Sequence, residues 1–287
     1  MICRLCPRKC GVDRKKELGY CRSPYDPVLA RAALHFWEEP CISGKNGSGT
    51  IFFSGCSMRC VFCQNSSISR KAEGKTVTPK ELCEIMRRLE DLGAHNINLV
   101  NPTHYLHSII DAVNMYKPKI PIIYNSGGYE RISAIKALDG ICDVYLPDYK
   151  YAESDIAKKF SDAPDYPEVA HEAIGEMIKQ TGNPVYDDDQ MIKKGTIIRH
   201  LILPGHVMNS IKVLKRISAL PKTPVSIMAQ YTPYNDLSRF PELNRKITKE
   251  ELDRVERYVE KLGLDGYIQS RKSASEKFIP DFDGTGI

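Results

Sequence analysis

The sequence predicts an α/β protein built of βα units around a largely parallel sheet. Three observations carry this. From Gly49 onward, short β-rich runs alternate with longer amphipathic stretches. Two of those stretches open on complete helix-start signals. And 287 residues with 42% apolar and 27% charged composition are enough for a sizeable core. The length suits about two ordinary domains or a single α/β barrel.

Six runs read as strands: Thr50–Phe53, Ile97–Val100, Ile120–Tyr124, Asp143–Leu146, Thr196–Leu201 and Val225–Met228. Between the first two, Thr78 caps a helix, Pro79 takes its first position and Glu81 closes a capping box. Helical patterns follow over His104–Met115, Arg131–Leu138, Pro167–Gln180 and Asn209–Ser218. Thr248 opens a further helix that runs to about Leu262 and stops at Gly263. The segment Phe278–Gly284 is too apolar for a free tail and is expected to pack back on the body. The first 45 or so residues are basic, cysteine-bearing and poorly periodic. We therefore expect a Cys-rich extension over 1–48, a main body over 49–270 and a packed tail over 271–287.

The 41 basic and 36 acidic side chains give a formal +5 without a concentrated Lys/Arg run, so no nucleic-acid partner is expected. The longest uncharged stretch, Gly93–Ile110, contains three His, three Asn and a Pro and cannot lie in hydrocarbon, so no membrane span is expected. The chain begins MICRLCPRKC, with no apolar signal segment, which points to the cytoplasm. In that reducing compartment clustered cysteines are more often metal ligands or catalytic thiols than disulfides. Eight of the ten cysteines fall within the first 63 residues.

Cys56, Cys60 and Cys63 follow the first strand with spacing C-x3-C-x2-C, and Phe62 precedes the last of them. Three thiolates on a short loop hold three irons of a 4Fe-4S cluster and leave the fourth open to a substrate or cofactor. A zinc or packing site is the other reading, but zinc wants a fourth ligand, and the next cysteine, Cys83, lies in a helix.

This loop resembles the signature of the radical S-adenosylmethionine (SAM) superfamily. The resemblance covers roughly Gly49 to Gly266 and implies a partial (β/α)6 TIM-like barrel with a small Cys-rich amino-terminal extension, in accord with the six strands. It implies cluster ligation by Cys56, Cys60 and Cys63, an open iron that chelates the methionine amino and carboxylate groups, and Phe62 near the adenine. Reduction of the cluster would then split the sulfonium and release a 5'-deoxyadenosyl radical.

The superfamily's Gly-Gly-Glu-Pro at the end of strand two is replaced here by Val100-Asn101-Pro102-Thr103-His104. Asn101 and Thr103 can accept from an ammonium, although an Asn-Pro turn into a helix fits equally well. Asn125 and Ser126 end strand three, where βα loops build the ligand face, in a run that also suits a Gly-rich turn. Asp148 and Lys150 resemble the Asp-x-Lys of glycyl radical enzyme activating enzymes, where the pair helps hold the methionine moiety; a surface ion pair is the alternative. On strand five His200 is the candidate for the ribose, in competition with a buried, satisfied histidine. Gln230 and Tyr231 are placed to close the cavity.

Cys3, Cys6, Cys10 and Cys21 form a second set with spacing C-x2-C-x3-C-x10-C, sufficient for a closed zinc site or a second iron-sulfur cluster, with redox-active thiols as the remaining alternative. This segment, Asn101–His104 and the tail resemble a branch related to pyruvate formate-lyase activating proteins (PflX-like). That branch implies an electron donor such as flavodoxin or ferredoxin and a glycyl radical enzyme as target. A small molecule or peptide as substrate is the alternative, and a non-catalytic metal-binding or redox-sensing protein the remote one. Cys41, Cys83 and Cys142 have no assigned chemistry.

Overall fold

The computed structural model describes residues 2–271, 274 and 279–287. In chain order its elements are β1 (Val28–His35), α1 (Pro40–Ser43), β2 (Ser48–Phe53), α2 (Ser66–Lys71), β3 (Lys75–Thr76), α3 (Pro79–Asp91), β4 (Ile97–Val100), α4 (Leu106–Met115), β5 (Ile122–Ser126), α5 (Ile132–Lys136) and β6 (Val144–Pro147). Then come α6 (Ser154–Ser161), α7 (Tyr166–Thr181), β7 (Val185–Tyr186), β8 (Ile192–Thr196), β9 (Ile198–Leu201), α8 (Val207–Ile217), β10 (Val225–Met228), α9 (Lys249–Leu262) and β11 (Gly266–Ile268).

Every residue of β2, β5, β6 and β10 is buried, as expected of parallel strands covered on both faces. The strands β2, β4, β5, β6 and β8 pair in parallel in that order, and β9, β10 and β11 form a second parallel group. The two groups are one arc. β8 and β9 are separated only by Ile197, and a parallel bridge between Asp148 and Arg199 continues the pairing of β6 onto β9. The strand expected over Thr196–Leu201 is therefore real but broken at Ile197, where the chain passes from one group to the other. The six-strand arc from β2 to β10 is a partial (β/α)6 barrel, with β11 added beyond it.

The helices are set by local chemistry and apolar stripes. At α3 and α9 both halves of the capping box form, on Thr78 with Glu81 and on Thr248 with Glu251. Gly263 ends α9 in the left-handed conformation at φ 61°. The buried face of α3 (Leu82, Ile85, Met86, Leu89) packs with Ile51, Leu99 and Tyr124 of the sheet. That of α8 (Val213, Leu214, Ile217) packs with Ile198, Ile227 and Val255.

The extension expected over 1–48 does not stand apart. Its Val28–His35 run is β1, antiparallel to β2 from Leu29↔Phe53 to His35↔Ser48. Described residues of the tail lie against β1 and β2: the Phe282 ring is 5.3 Å from that of Phe52, the Gly284 N–H donates to Ala30 O and the Ala32 N–H donates to Thr285 O. Phe278, the first residue of that apolar run, lies outside the described residues. Among the described residues no helix is long and apolar enough to cross a membrane.

Candidate active site

After β2 the chain turns at Gly55, whose φ of +85° and close approach to Cys21 O and Ser23 Oγ leave no room for a Cβ. The three-cysteine loop follows and is tied down on several sides. The Cys56 N–H donates to Cys21 O, the Val61 N–H to Phe160 O, and Asn235 Nδ2 to Val61 O and Cys63 O at 3.0 and 2.9 Å. Hydroxyls face two of the sulfurs: Ser161 Oγ donates to Cys60 Sγ at 2.9 Å and Ser69 Oγ to Cys63 Sγ at 3.5 Å. Burial pushes the Cys56 thiol up to about 12, and its neighbours Cys60 and Cys63 add to the shift. Thiols this close in a dry pocket stay protonated until cations replace their protons, as in a metal or cluster site. Among the described residues no three His, Cys, Asp or Glu side chains converge on a single ion position. A cluster needs no such convergence, because each thiolate ligates its own iron. The buried loop, its sulfur-directed hydroxyls and its spacing fit a 4Fe-4S group.

Cys60, Phe62 and Cys63 line a cavity of about 260 Å³ at the carboxyl ends of the strands. The opposite wall is charged. Arg199 Nε donates to Asp148 Oδ1 at 2.9 Å, Nη1 to Glu38 Oε2 at 3.1 Å and Nη2 to Asn125 Oδ1 at 2.6 Å. Lys150 Nζ donates to the other oxygen of Asp148. Burial alone would raise the Asp148 carboxyl, but Arg199 and Lys150 outweigh it and leave it below the usual range. Burial pushes Glu38 and Glu39 up despite the pull of Arg199. Gln230, Tyr231, Met228 and the tail residues Ile279 and Pro280 also line it. The Phe62 and Tyr231 rings stand 6.0 Å apart, an apolar wall beside the cysteines.

The structure thus gathers Cys60, Cys63, Phe62, Asn125, Asp148 and Lys150 on one cavity, with Cys56 packed behind them. Four other candidates do not join them. Asn101, at φ 58°, donates to Gly55 O, and Thr103 donates to the buried Glu130 at 2.7 Å. Ser126 Oγ accepts from the Gly128 N–H at 3.2 Å. His200 is fully buried; Nδ1 donates to Tyr149 O at 2.7 Å and Nε2 accepts from Ser210 Oγ at 2.8 Å. Strand alternation explains the correction: Arg199 and Leu201 point into the cavity, and His200 between them faces α8. Arg199 and Glu38 are residues the sequence reading missed. An arginine beside the chosen histidine was the available signal for the first. For the second it was a pair of acids, Glu38-Glu39, ahead of Pro40 in a weakly charged stretch.

Cys3, Cys6, Cys10 and Cys21 share the amino-terminal lobe but not one environment. Cys6 and Cys21 are buried, Cys3 is half-buried and Cys10 is exposed. Burial pushes Cys6 up to about 12, with smaller contributions from Cys21 and Cys3. Among the described residues the four are not drawn onto one ion position, and the geometry gives zinc no support.

The Radical SAM superfamily model matches residues 50–217. The Methanocaldococcus jannaschii protein MJ0674 is 32% identical over 274 residues, covering 92% of this chain and 75% of that one. Streptococcus suis SuiB superposes with a TM-score of 0.53 at 13% identity over 78% of this chain; the chain spans about half, 48%, of SuiB. A domain of the pyruvate-formate lyase-activating enzyme from Bacteroides vulgatus aligns at a TM-score of 0.40 and 16% identity over 67% of this chain and 91% of that one, too low to bear on function. With the cysteine loop after β2, the partial barrel and a family match over more than half its length, the chain belongs to the radical SAM superfamily.

Proposed function

We propose that this protein cleaves SAM reductively and passes the radical to a glycine of a partner protein, as the activating enzymes it resembles do. The observation that carries the reading is the Asp148–Lys150 pair standing across one cavity from Cys60 and Cys63. Cys56, Cys60 and Cys63 would hold the cluster, which when bound supplies the electron that splits the sulfonium. Lys150 offers a point charge to the SAM carboxylate, and Asp148, itself held by Arg199, fixes where that charge sits. Phe62 and Tyr231 exclude water beside the adenosyl group. Reduction falls to a flavodoxin or ferredoxin, and the ten thiols suit the cytoplasm.

The test is anaerobic. Reconstituted protein reduced with dithionite and given SAM is expected to form 5'-deoxyadenosine, and Cys56→Ala to form none. Equal product from both would sink the reading. A glycyl radical doublet in the electron paramagnetic resonance spectrum on mixing with a candidate partner tests the target.

A second reading, a small polar molecule or peptide as substrate, is favoured by the Glu38–Arg199 pair, which adds charge to the cavity beyond what the methionine end needs. SAM-dependent consumption of such a compound without a protein radical would select it.

A further inference from the structure

The formal +5 of the chain is not spread over it. Residues 2–22 carry seven Lys/Arg and two Asp/Glu, so this lobe accounts for the whole surplus and the remaining chain is balanced. The lobe lies on the cysteine loop. Arg8 Nε donates to Ser57 O at 2.8 Å, Arg59 donates to Tyr20 O, and the Cys56 N–H donates to Cys21 O at 3.3 Å. The guanidinium groups of Arg8 and Arg59 both stack on the Tyr20 ring, at 4.0 and 4.2 Å from its centroid. From α2, Arg70 donates to Cys60 O at 3.1 Å and Val61 O at 3.3 Å, and Arg22 donates to Arg70 O at 3.4 Å. Around this anchored inner layer Lys9, Arg22 and Lys71 are exposed. The nearby acids leave the face basic: Glu73 pairs with Lys71 at 3.5 Å and Asp162 with Lys158, while Asp13 and Glu17 are already counted in the surplus of the lobe. The loop thus has the cavity on one side, through Cys60 and Cys63, and a basic surface on the other.

From this we infer that the amino-terminal lobe with the end of α2 is the docking face for an acidic one-electron carrier protein. The inference rests on the proposed function, since it needs a cluster on the loop to receive the electron. One electron leaves the reduced carrier, which is oxidised by one electron, and enters the loop site; no bond is made or broken. The bonds from the lobe into the loop backbone at Cys56 and Ser57 give a short path behind the cysteines. A net excess of like charge on one face steers an oppositely charged partner and loses its pull as salt rises.

A flavodoxin is the probe. Binding of the oxidised flavodoxin to the reconstituted protein is measured by titration calorimetry at low and raised salt. Cluster bleaching is then followed with flavodoxin hydroquinone and, separately, with dithionite. We expect binding to weaken steeply with salt. The triple reversal Lys9→Glu, Arg22→Glu and Lys71→Glu should weaken it by about tenfold or more and slow reduction by flavodoxin to match. Reduction by dithionite should be unchanged, which also shows that the variant is folded. Reversal of Lys212 and Lys215, exposed on α8, should leave binding as it was. Salt-insensitive binding, no response to the triple reversal, or an equal response to the α8 reversal would each overturn the docking face. Failure of dithionite to reduce the unmodified protein would instead overturn the proposed function, and the calorimetry would still decide the docking.

Discussion

Two groups of polar residues occupy the same region, the carboxyl ends of the barrel strands, and they have opposite fates. Asn125, Asp148, Lys150 and Arg199 bond chiefly to one another and to Glu38 and line the cavity. Thr103, Ser126 and His200 lie behind the strand ends, 3%, 2% and 0% exposed, each with its bonding absorbed by backbone or a buried side chain. Both groups have the residue types that hold a cofactor. What separates them is strand parity and the partner each finds, so a polar residue at a strand end becomes a candidate ligand only when its partners leave it facing open space.

Arg199→Met attacks the first group at its centre and should have the largest effect. It would leave the largely buried Glu38 without its ion partner and Asp148 with Lys150 alone, and remove the clamp on Asn125. Breaking a buried ion pair by removing one partner costs about 3–5 kcal/mol. Urea unfolding should show that loss, and 5'-deoxyadenosine formation should fall with it. Arg199→Lys keeps the charge but lacks the fork for three acceptors, and should recover only part of both. An unchanged denaturation midpoint for Arg199→Met would dissolve the distinction between the two groups.

His200 tests the second group through pH. Burial drives its imidazole down to about 4. The unfolded chain, with an ordinary histidine, binds the proton at higher pH than the fold does. Stability from this residue is therefore present above about pH 6.5 and is lost as pH falls toward 4, by about 3 kcal/mol in all. In His200→Gln, which cannot titrate, the slope of unfolding free energy between pH 6.5 and 4 should shrink by most of that amount, with the SAM dissociation constant at neutral pH unmoved. A large loss of SAM affinity in His200→Gln would put His200 back in the cofactor site.

The same contrast shows what the sequence could reveal. Ile97–Val100 and Val225–Met228 are strands with the bounds read from their β-branched runs, and both Thr-x-x-Glu boxes form, because these signals act over a few residues. The cysteine loop was legible for the same reason. β1 was missed because Val28–His35 carries alanines and an arginine where β-branched residues would mark a strand, and its pairing with β2 is a tertiary fact. The parity of β9 was misread because Ile198, His200 and Ile202 alternate with Arg199, Leu201 and Leu203, so each face mixes polar with apolar. The break at Ile197 and the neighbouring β10 and α8 decide which face meets the cavity. Glu38 sits in a connection between strands, where no periodicity exists to point it inward.

Lys150→Met gives a smaller effect on the first group. Asp148 would keep Arg199 as a partner, so folding should be nearly unaffected. Loss of a charge-assisted bond to the SAM carboxylate is worth about 1.5–3 kcal/mol, or roughly 10–100-fold in the SAM dissociation constant. Equal affinities by equilibrium binding would remove Lys150 from the site and leave its ion pair with Asp148 structural.

The smallest effect is expected at Thr103, and it carries the sharpest sign. Thr103 Oγ1 donates to Glu130, whose carboxyl burial pushes up to about 7 while the bonds from Thr103, Ser126 and Tyr124 hold it back. Because that value is above the unfolded one, ionising Glu130 costs stability. The unfolded chain gives up its proton first, and stability falls as pH rises from about 4.5 to 7. Thr103→Val removes one of the bonds that favour the ionised form, so the carboxyl rises further and the decline continues past pH 7. The variant should be about 1 kcal/mol less stable than the unmodified protein at pH 5 and more than that at pH 8, with SAM affinity unchanged at both. A deficit that shrinks toward pH 8 would mean that Thr103 bonds the protonated acid. A loss of SAM affinity would mean that the residue at the end of β4 reaches the cofactor after all, and that the boundary between the two groups runs elsewhere.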